Sequence, residues 1–295
     1  MAPHTLARPR RTPWPSGPLG PRAGDCRPVG IVVAHYNTPQ LIAQLVFSLY
    51  RLLGRTEFAE LVVVDNASTD GSRKLLGALH RAGLIHLLQN RTQRYHGPAL
   101  TQGVSWLARH AADHIAYIWA LDSDTIVLRQ DTVCDALEVF ERVGAALLGE
   151  GMGDPEYNRL LRHNRAMLHP FSLLLDPACV WRAPLPPFLE DGAPATALQV
   201  AADRCRLPLV AFPFVADGYL LHLGRGTLRE IACTADTDNR YYRWALDHRE
   251  YHFAGRPDGA RVYRGFRQVF DAEVGELTPA RLVAACHAGT IASLD

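Results

Sequence analysis

The chain has 295 residues, of which 48% are hydrophobic and 21% are charged, and its formal net charge at pH 7 is +1. This balance excludes the basic surplus that is typical of nucleic-acid-binding proteins, so we expect no nucleic-acid partner. No apolar run approaches the roughly 20 residues that a helix needs to span a bilayer.

Residues 1–27 are rich in proline, glycine and arginine and lack the apolar core that a signal peptide requires. Such a composition cannot bury enough apolar surface to order itself, which predicts a disordered N-terminal tail. Residues 28–295 contain neither an internal repeat nor a low-complexity linker, which predicts a single domain. Together with the lack of a predicted membrane span, these features favour a cytoplasmic protein.

Residues 28–150 alternate short β-branched runs with amphipathic stretches. Hydrophobic periodicity predicts strands at 29–35, 60–65, 84–89, 115–121 and 145–149, and helices at 39–53, 73–83, 98–111 and 131–144. Strands that alternate with helices form β-α-β units. The sequence therefore predicts an α/β fold with a mainly parallel sheet flanked by helices.

The pattern is looser from about residue 150 onwards. It predicts a strand within 171–182, a helix near 195–205 followed by a strand, and helices at 236–253 and 278–288. We therefore expect an elaborated second half on the same domain.

Polar residues follow three of the predicted strands. They are His35, Tyr36 and Asn37 at the first strand, Asp65 and Asn66 at the second, and Asp122, Ser123 and Asp124 at the fourth. In open α/β sheets, ligands bind beyond the carboxyl ends of the strands. The sequence therefore predicts that these residues line a ligand crevice.

Asp122 and Asp124 interrupt an otherwise apolar run at residues 117–129. In an extended chain alternate side chains point to opposite faces, so the two carboxylates project on the same side. Like charges placed in this way repel unless a cation lies beside them, and Mg²⁺ or Mn²⁺ suits a site of oxygen ligands. A solvated pair of turn aspartates is the alternative.

Two other acidic motifs fit less well. An EF-hand loop would need oxygen ligands where Ile126 and Leu128 stand. A phosphatase of the haloacid-dehalogenase type carries an early D-x-D motif and a downstream lysine. Here the D-x-D motif follows three predicted β-α units, and Lys74, the only lysine, lies upstream of it.

Four stretches occur in the order "VGIVVAHYNTPQLIAQLVFSL", "ELVVVDNASTDGS", "ALDSDT" and "LED". Together they resemble the GT-A fold glycosyltransferases, especially family 2, over roughly residues 29–227. The resemblance implies a GT-A type Rossmann-like sheet, with a nucleotide-binding half at 28–150 and an acceptor-binding half with C-terminal helices at 151–295. It also implies a metal-dependent, inverting transfer of a sugar from a nucleotide sugar to an acceptor hydroxyl.

The resemblance implies how the nucleotide is held. The ends of the first two strands would surround the base, with Tyr36 stacked on it, Asn37 nearby, and Asp65 accepting a hydrogen bond from a pyrimidine N3–H group. A loop-capping role is the alternative for Asp65. Arg94, after the third strand, is expected to approach the nucleotide.

The resemblance also implies a metal shell. Asp124 would be a direct ligand, and Asp122 would contact the ribose or a metal-bound water. His222 would complete the shell, although a lone histidine on a strand is more often an ordinary core residue. The flexible residues that follow it would cradle the diphosphate through Arg225, Gly226 and Thr227.

The stretch "PFLEDGAP" supplies the expected general base. The resemblance assigns this role to Asp191, with Glu190 as its substitute, because a base must be an ionised carboxylate within reach of the acceptor hydroxyl. Capping of the following helix is the alternative for Asp191. The sequence departs from the family pattern at Thr101, where asparagine is common. The acidic pair is also not followed by the usual tryptophan or arginine-rich helix start, which leaves the acceptor-side geometry open.

The expected donor is a UDP-, dTDP- or GDP-linked sugar, and the expected acceptor is a small molecule, a glycan or a peptide. The aromatic and basic segment 239–253 either lines the acceptor site or forms a packed amphipathic helix. A nucleotidyltransferase acting on sugar phosphates is one alternative, but it would need a glycine-rich basic loop where "AHYNTPQ" stands. A non-catalytic nucleotide-sugar-binding protein is another, and the retained carboxylates disfavour it.

Overall fold

The computed structural model describes residues 29–54, 57–180, 188–189, 195–224, 251 and 253–291. Its strands are β1 (Val29–His35), β2 (Phe58–Asp65), β3 (His86–Gln89), β4 (Tyr117–Asp122), β5 (Thr125–Val127), β6 (Leu147–Gly151), β7 (Leu168–Leu175), β8 (Leu209–Ala211) and β9 (Leu220–His222). Its helices are α1 (Pro39–Ser48), α2 (Ser72–Arg81), α3 (His96–His110), α4 (Thr132–Arg142), α5 (Pro155–Asn158), α6 (Pro177–Val180), α7 (Thr196–Arg204), α8 (Gly259–Val274) and α9 (Pro279–His287).

The main sheet has seven strands in the order β3-β2-β1-β4-β7-β6-β8. Strands β1 to β4 pair in parallel, as the alternation of strands and helices predicts. Strand β7 is antiparallel to both of its neighbours, β4 and β6, whereas β8 is parallel to β6. A mainly parallel sheet flanked by helices confirms the predicted fold class.

Helices cover both faces of the sheet, because its strands are apolar on both sides. Ile31 and Val33 of β1 point to one face and join a core formed with α1, α2, α4, α8 and α9. Val32 points to the other face, where the core includes residues of α3 and α7. The alternation of side chains along one strand thus builds a three-layer domain.

Helix α3 approaches β1 unusually closely. A Cβ atom on Gly103 would lie 2.5 Å from Cγ1 of Val32, so a glycine is needed at this crossing. This contact sets the height of α3 over the sheet. It matters for the site because the first residue of α3 is His96.

The C-terminal helices pack against α1. The ring of Phe47 lies 6.0 Å from that of Phe266 and 5.2 Å from that of Phe270, both in edge-to-face geometry. Arg51 donates to both carboxylate oxygens of Glu273 on α8. Helix α9 agrees with the prediction, whereas α8 was not predicted, although its buried apolar residues Phe266, Phe270 and Val274 recur every four residues.

The predicted helices and strands of residues 28–150 are confirmed, with ends that shift by a few residues. The helix expected at 236–253 and the disordered tail expected at 1–27 lie outside the described residues, apart from residues 251 and 253. Within the part of the chain that is described, no helix is both long enough and apolar enough to cross a membrane.

Candidate active site at the carboxyl edge of the sheet

The polar strand ends expected to line a crevice lie side by side. His35 at the end of β1 pairs in register with Asp65 at the end of β2. On the other side of β1, Ala34 pairs with Asp122 at the end of β4. The parallel pairing of three neighbouring strands therefore brings their polar ends to one edge.

The two aspartates do not lie on one continuous strand. Ser123 and Asp124 form a turn between β4 and β5, and β5 then leaves the main sheet to pair with β9. This antiparallel pairing places Thr125 opposite His222, and the N–H group of Leu223 donates to the carbonyl of Asp124 at 3.0 Å. The expected extended geometry is wrong at this turn, because β5 finds its partner in β9.

Asp122, Asp124 and His222 form a cluster in which one ligand atom from each lies within 4.8 Å of the others. Nε2 of His222 lies 3.3 Å from Oδ1 of Asp124 and 3.9 Å from Oδ2 of Asp122. Two carboxylates and one imidazole are suitable ligands for a divalent cation such as Mn²⁺. The residues present therefore fit the metal shell that the resemblance implies.

His222 is held in place from two directions. Its ring stacks on that of Phe171, with centroids 4.1 Å apart and planes 9° apart. Burial alone would lower the pKa of His222, but the charges of Asp124 and Asp122 and a hydrogen bond to Asp124 raise it overall. The imidazole is thus fixed against a concentrated negative charge.

A second histidine faces the same carboxylates and was not expected from the sequence. Nε2 of His96 lies 3.2 Å from Oδ1 of Asp122. Burial alone would lower the pKa of His96, but the charge of Asp122, a hydrogen bond to it and the charge of Asp124 raise it overall. A single histidine at the start of a helix carries no periodic signal, so sequence patterns could not single it out.

Asp65 has the loop-capping role that was the alternative expectation for it. It is fully buried, and its Oδ1 atom accepts a hydrogen bond from the N–H group of Ser68 at 3.0 Å, which is the loop-capping role. Its Oδ2 atom is buried without a hydrogen-bond partner among the described residues, and Nε of Arg73 lies 3.7 Å away. One oxygen of Asp65 thus remains for a ligand donor.

His35 and Asn37 shape the loop beside Asp65. Burial lowers the pKa of His35 to about 4, against the opposing charges of Asp65 and Asp70, so its ring is neutral at pH 7. Asn37 adopts a φ of 49° and accepts a hydrogen bond from the N–H group of Thr69 at 2.7 Å. Tyr36, which is half-buried, lies between these two residues in the chain.

Asn66 fixes the turn that leads into α3. Its Oδ1 atom accepts hydrogen bonds from Nδ2 of Asn90 at 3.2 Å and from the N–H group of Arg94 at 2.8 Å. Its Nδ2 atom donates to the carbonyl of Tyr95 at 3.0 Å. The side chain of Asn66 therefore holds this turn. Of the other two residues expected to contact the nucleotide, Arg94 is exposed and Ser123 is buried.

The remaining predicted residues lie outside the described part of the chain. They are Glu190, Asp191, Arg225, Gly226 and Thr227. The two residues immediately before Glu190 are described, and they lie against α3. The hydroxyl of Thr101 donates to the carbonyl of Phe188 at 3.1 Å, and a Cβ atom on Gly97 would lie 1.8 Å from the carbonyl oxygen of Leu189.

Comparison with known proteins gives one family and several similar structures. The model of a family described as Glycosyl transferase family 2 matches residues 30–207. The mannosyltransferase PcManGT from Pyrobaculum calidifontis, solved with GDP-Man and Mn²⁺, shares 21% identity at a TM-score of 0.51, covering 93% of this chain and 82% of that chain. S. aureus TarS 1-349 in complex with UDP shares 18% identity at a TM-score of 0.50, covering 88% of this chain and 80% of that chain. A search of curated proteins gave no match.

Proposed function

The chain belongs to glycosyl transferase family 2, whose model matches more than half of it, and we propose that it moves a sugar from a nucleotide sugar to an acceptor hydroxyl with the help of a divalent cation. The observation that carries this proposal is the cluster of Asp122, Asp124 and His222 at the carboxyl edge of the sheet. In open α/β sheets this edge is where ligands bind.

The donor is proposed to be a UDP-, dTDP- or GDP-linked sugar. Support comes from the shared fold, since the similar structures were solved with GDP-Man and Mn²⁺ or with UDP. Residues 28–150 would form the nucleotide-binding half, with Tyr36 stacked on the base. The buried Oδ2 atom of Asp65, which has no hydrogen-bond partner among the described residues, would accept a hydrogen bond from the base.

Asp124 and His222 would hold the cation directly, and Asp122 would join them or contact the ribose. A divalent cation bound there supplies positive charge next to the departing nucleoside diphosphate. Arg225, Gly226 and Thr227 follow His222 closely in the chain and would add amide and guanidinium donors to the diphosphate.

Asp191 is proposed as the general base, with Glu190 beside it. Its carboxylate would take the proton of the acceptor hydroxyl as that oxygen attacks the anomeric carbon. The bond to the diphosphate breaks on the opposite face, so the anomeric configuration inverts. This proposal is supported by the way Phe188 and Leu189, just before the acidic pair, lie against the first turns of α3.

A thermal-shift panel tests the proposal. UDP-, dTDP- and GDP-sugars are added to the full chain with and without Mn²⁺, and the same panel is run on Asp124→Ala. A bound donor at 100 times its Kd stabilises the folded chain by about 2.7 kcal/mol, which raises Tm by several degrees.

The expected result is a shift that needs both Mn²⁺ and one class of nucleotide sugar, and that disappears in Asp124→Ala. Asp113→Ala is the matched control, because Asp113 is an exposed aspartate in the turn after α3. A panel in which no donor shifts the wild-type Tm, with or without Mn²⁺, contradicts the proposed function.

A further inference from the structure

The two oxygen atoms of Asp122 face two different imidazoles. Its Oδ2 atom lies 3.9 Å from Nε2 of His222, which in turn lies 3.3 Å from Asp124. Its Oδ1 atom lies 3.2 Å from Nε2 of His96. The carboxylate therefore spans the distance between the metal-ligand cluster and a histidine that is not part of it.

The ion-pair contact of His96 with this cluster is made to Asp122. Among the described residues, the set whose ligand atoms all lie within 4.8 Å of one another contains Asp122, Asp124 and His222 but not His96. Oδ1 of Asp122 and Nε2 of His96 are both buried and lie 3.2 Å apart, and neither atom makes a hydrogen bond of full geometry with any described residue. Two buried polar atoms with no other partner gain most from a hydrogen bond to each other.

The backbone on both sides of His96 is held firmly. Tyr95, just before it, has a φ of 63° and a ψ of 174°, a conformation that residues other than glycine rarely adopt. The carbonyl oxygen of Tyr95 accepts a hydrogen bond from Nδ2 of Asn66, which helps to hold Tyr95 in this conformation. Gly97, just after His96, lies against the backbone of Leu189. The strained backbone at Tyr95 thus places the imidazole of His96 beside Oδ1 of Asp122.

We propose that His96 is a positioning residue for the cation site. Its Nε2–H group donates to Oδ1 of Asp122 and so fixes the carboxylate with Oδ2 turned towards His222 and Asp124. The inference rests on the proposed function, because it takes the cation to lie at these three residues. Hydrogen-bonding partners of metal ligands commonly change metal affinity by 10-fold to 100-fold when they are removed.

The test measures Mn²⁺ binding directly, without turnover. The full chain is titrated with Mn²⁺, and the free ion is followed by its electron paramagnetic resonance signal. We expect His96→Ala to weaken Mn²⁺ binding roughly 10-fold to 100-fold. His96→Gln should recover much of the loss, because its amide N–H group can also donate to Asp122. His110→Ala, at the exposed far end of the same helix, should bind Mn²⁺ like the wild type.

Transfer activity gives a second measurement. If His96 acts by fixing Asp122, excess Mn²⁺ should restore most of the kcat of His96→Ala, which a purely structural defect would not allow. The inference is overturned if folded His96→Ala binds Mn²⁺ with the wild-type Kd. It is also overturned if His96→Gln is as weak as His96→Ala and both lose Tm to the same extent.

Asp124→Ala separates this inference from the proposed function. If the wild type does not bind Mn²⁺, or if Asp124→Ala binds it equally well, the proposed cation site itself is wrong. If Asp124→Ala abolishes binding while His96→Ala leaves it unchanged, the cation site stands and only the role of His96 fails.

Discussion

Replacing Gly97 with alanine tests whether the segment before Glu190 must be placed precisely against α3. The new Cβ atom would lie 1.8 Å from the carbonyl oxygen of Leu189, whereas real Cβ contacts are essentially never shorter than 3.0 Å. Either α3 or residues 188–189 must therefore move by about 1.2 Å. Misplacement of about 1 Å can cost about 100-fold in rate when it disturbs a reacting group.

We expect Gly97→Ala to lower kcat for sugar transfer about 100-fold. At saturating Mn²⁺, affinity for the nucleoside diphosphate should change by no more than a few-fold, because Tyr36 and Asp65 lie outside α3 and excess cation offsets a loss of metal affinity through His96. Overpacking of this kind costs about 1–3 kcal/mol of folding stability. Rates must therefore be measured below the Tm of the variant and per folded molecule.

Gly265→Ala is the matched control, because Gly265 lies inside α8 and an added Cβ atom there meets nothing within 4 Å. It should keep the wild-type kcat and gain up to about 1 kcal/mol of stability, since alanine favours helices over glycine. A folded Gly97→Ala enzyme with wild-type kcat would refute the reasoning. Loss of nucleotide binding instead of kcat would mean that the contact serves the donor site.

Three further changes test other parts of the molecule. Asp191→Asn should leave the donor-induced thermal shift intact and abolish transfer; turnover near the wild-type level would place the base elsewhere. Asp65→Asn should weaken binding of a uridine donor several-fold in a titration, and an unchanged Kd would mean that its free oxygen does not meet the base. Although burial opposes ionisation of Asp203, hydrogen bonds from residues 162–164 lower the pKa of this group to about 2. The unperturbed pKa of this group is 3.8, so its carboxylate should add about 2 kcal/mol to the free energy of unfolding above pH 4. This contribution should be lost as the pH falls towards 2. The check is to measure the free energy of unfolding against pH for the wild type and for Asp203→Asn. Two curves that run parallel between pH 5 and pH 2 would contradict this role of Asp203.

The first half of the fold could be predicted from the sequence because its signals are local. An apolar run such as Val29–His35, followed by Pro39 at the start of α1 and by Gly54 after the π-helical turn Leu49–Leu53 that extends α1, fixes each element within a few residues of itself. The direction of β7 could not be predicted, because a buried apolar strand has the same pattern in a parallel or an antiparallel neighbourhood.

The candidate site could be predicted from the sequence only at residues whose charge or family resemblance indicates a role. Paired carboxylates at Asp122 and Asp124 indicate a cation from their charge alone, and the family resemblance added His222. The pairing of Thr125 with His222 joins residues far apart in the chain, so no local period encodes it. His96 was missed for the same reason, since only the folded chain brings it to Asp122.

The burial of the two aspartates supports the proposed cation site over the alternative of two solvated turn aspartates. A fully solvated carboxylate would be exposed, whereas the side chain of Asp124 is 5% exposed and that of Asp122 is 24% exposed. Burying two like charges side by side is costly unless positive charge accompanies them. Here two imidazoles, from His96 and His222, each lie beside a different oxygen atom of Asp122. The fold gathers these four groups from different parts of the chain and holds Tyr95 in a strained conformation beside them, which supports the proposed cation site.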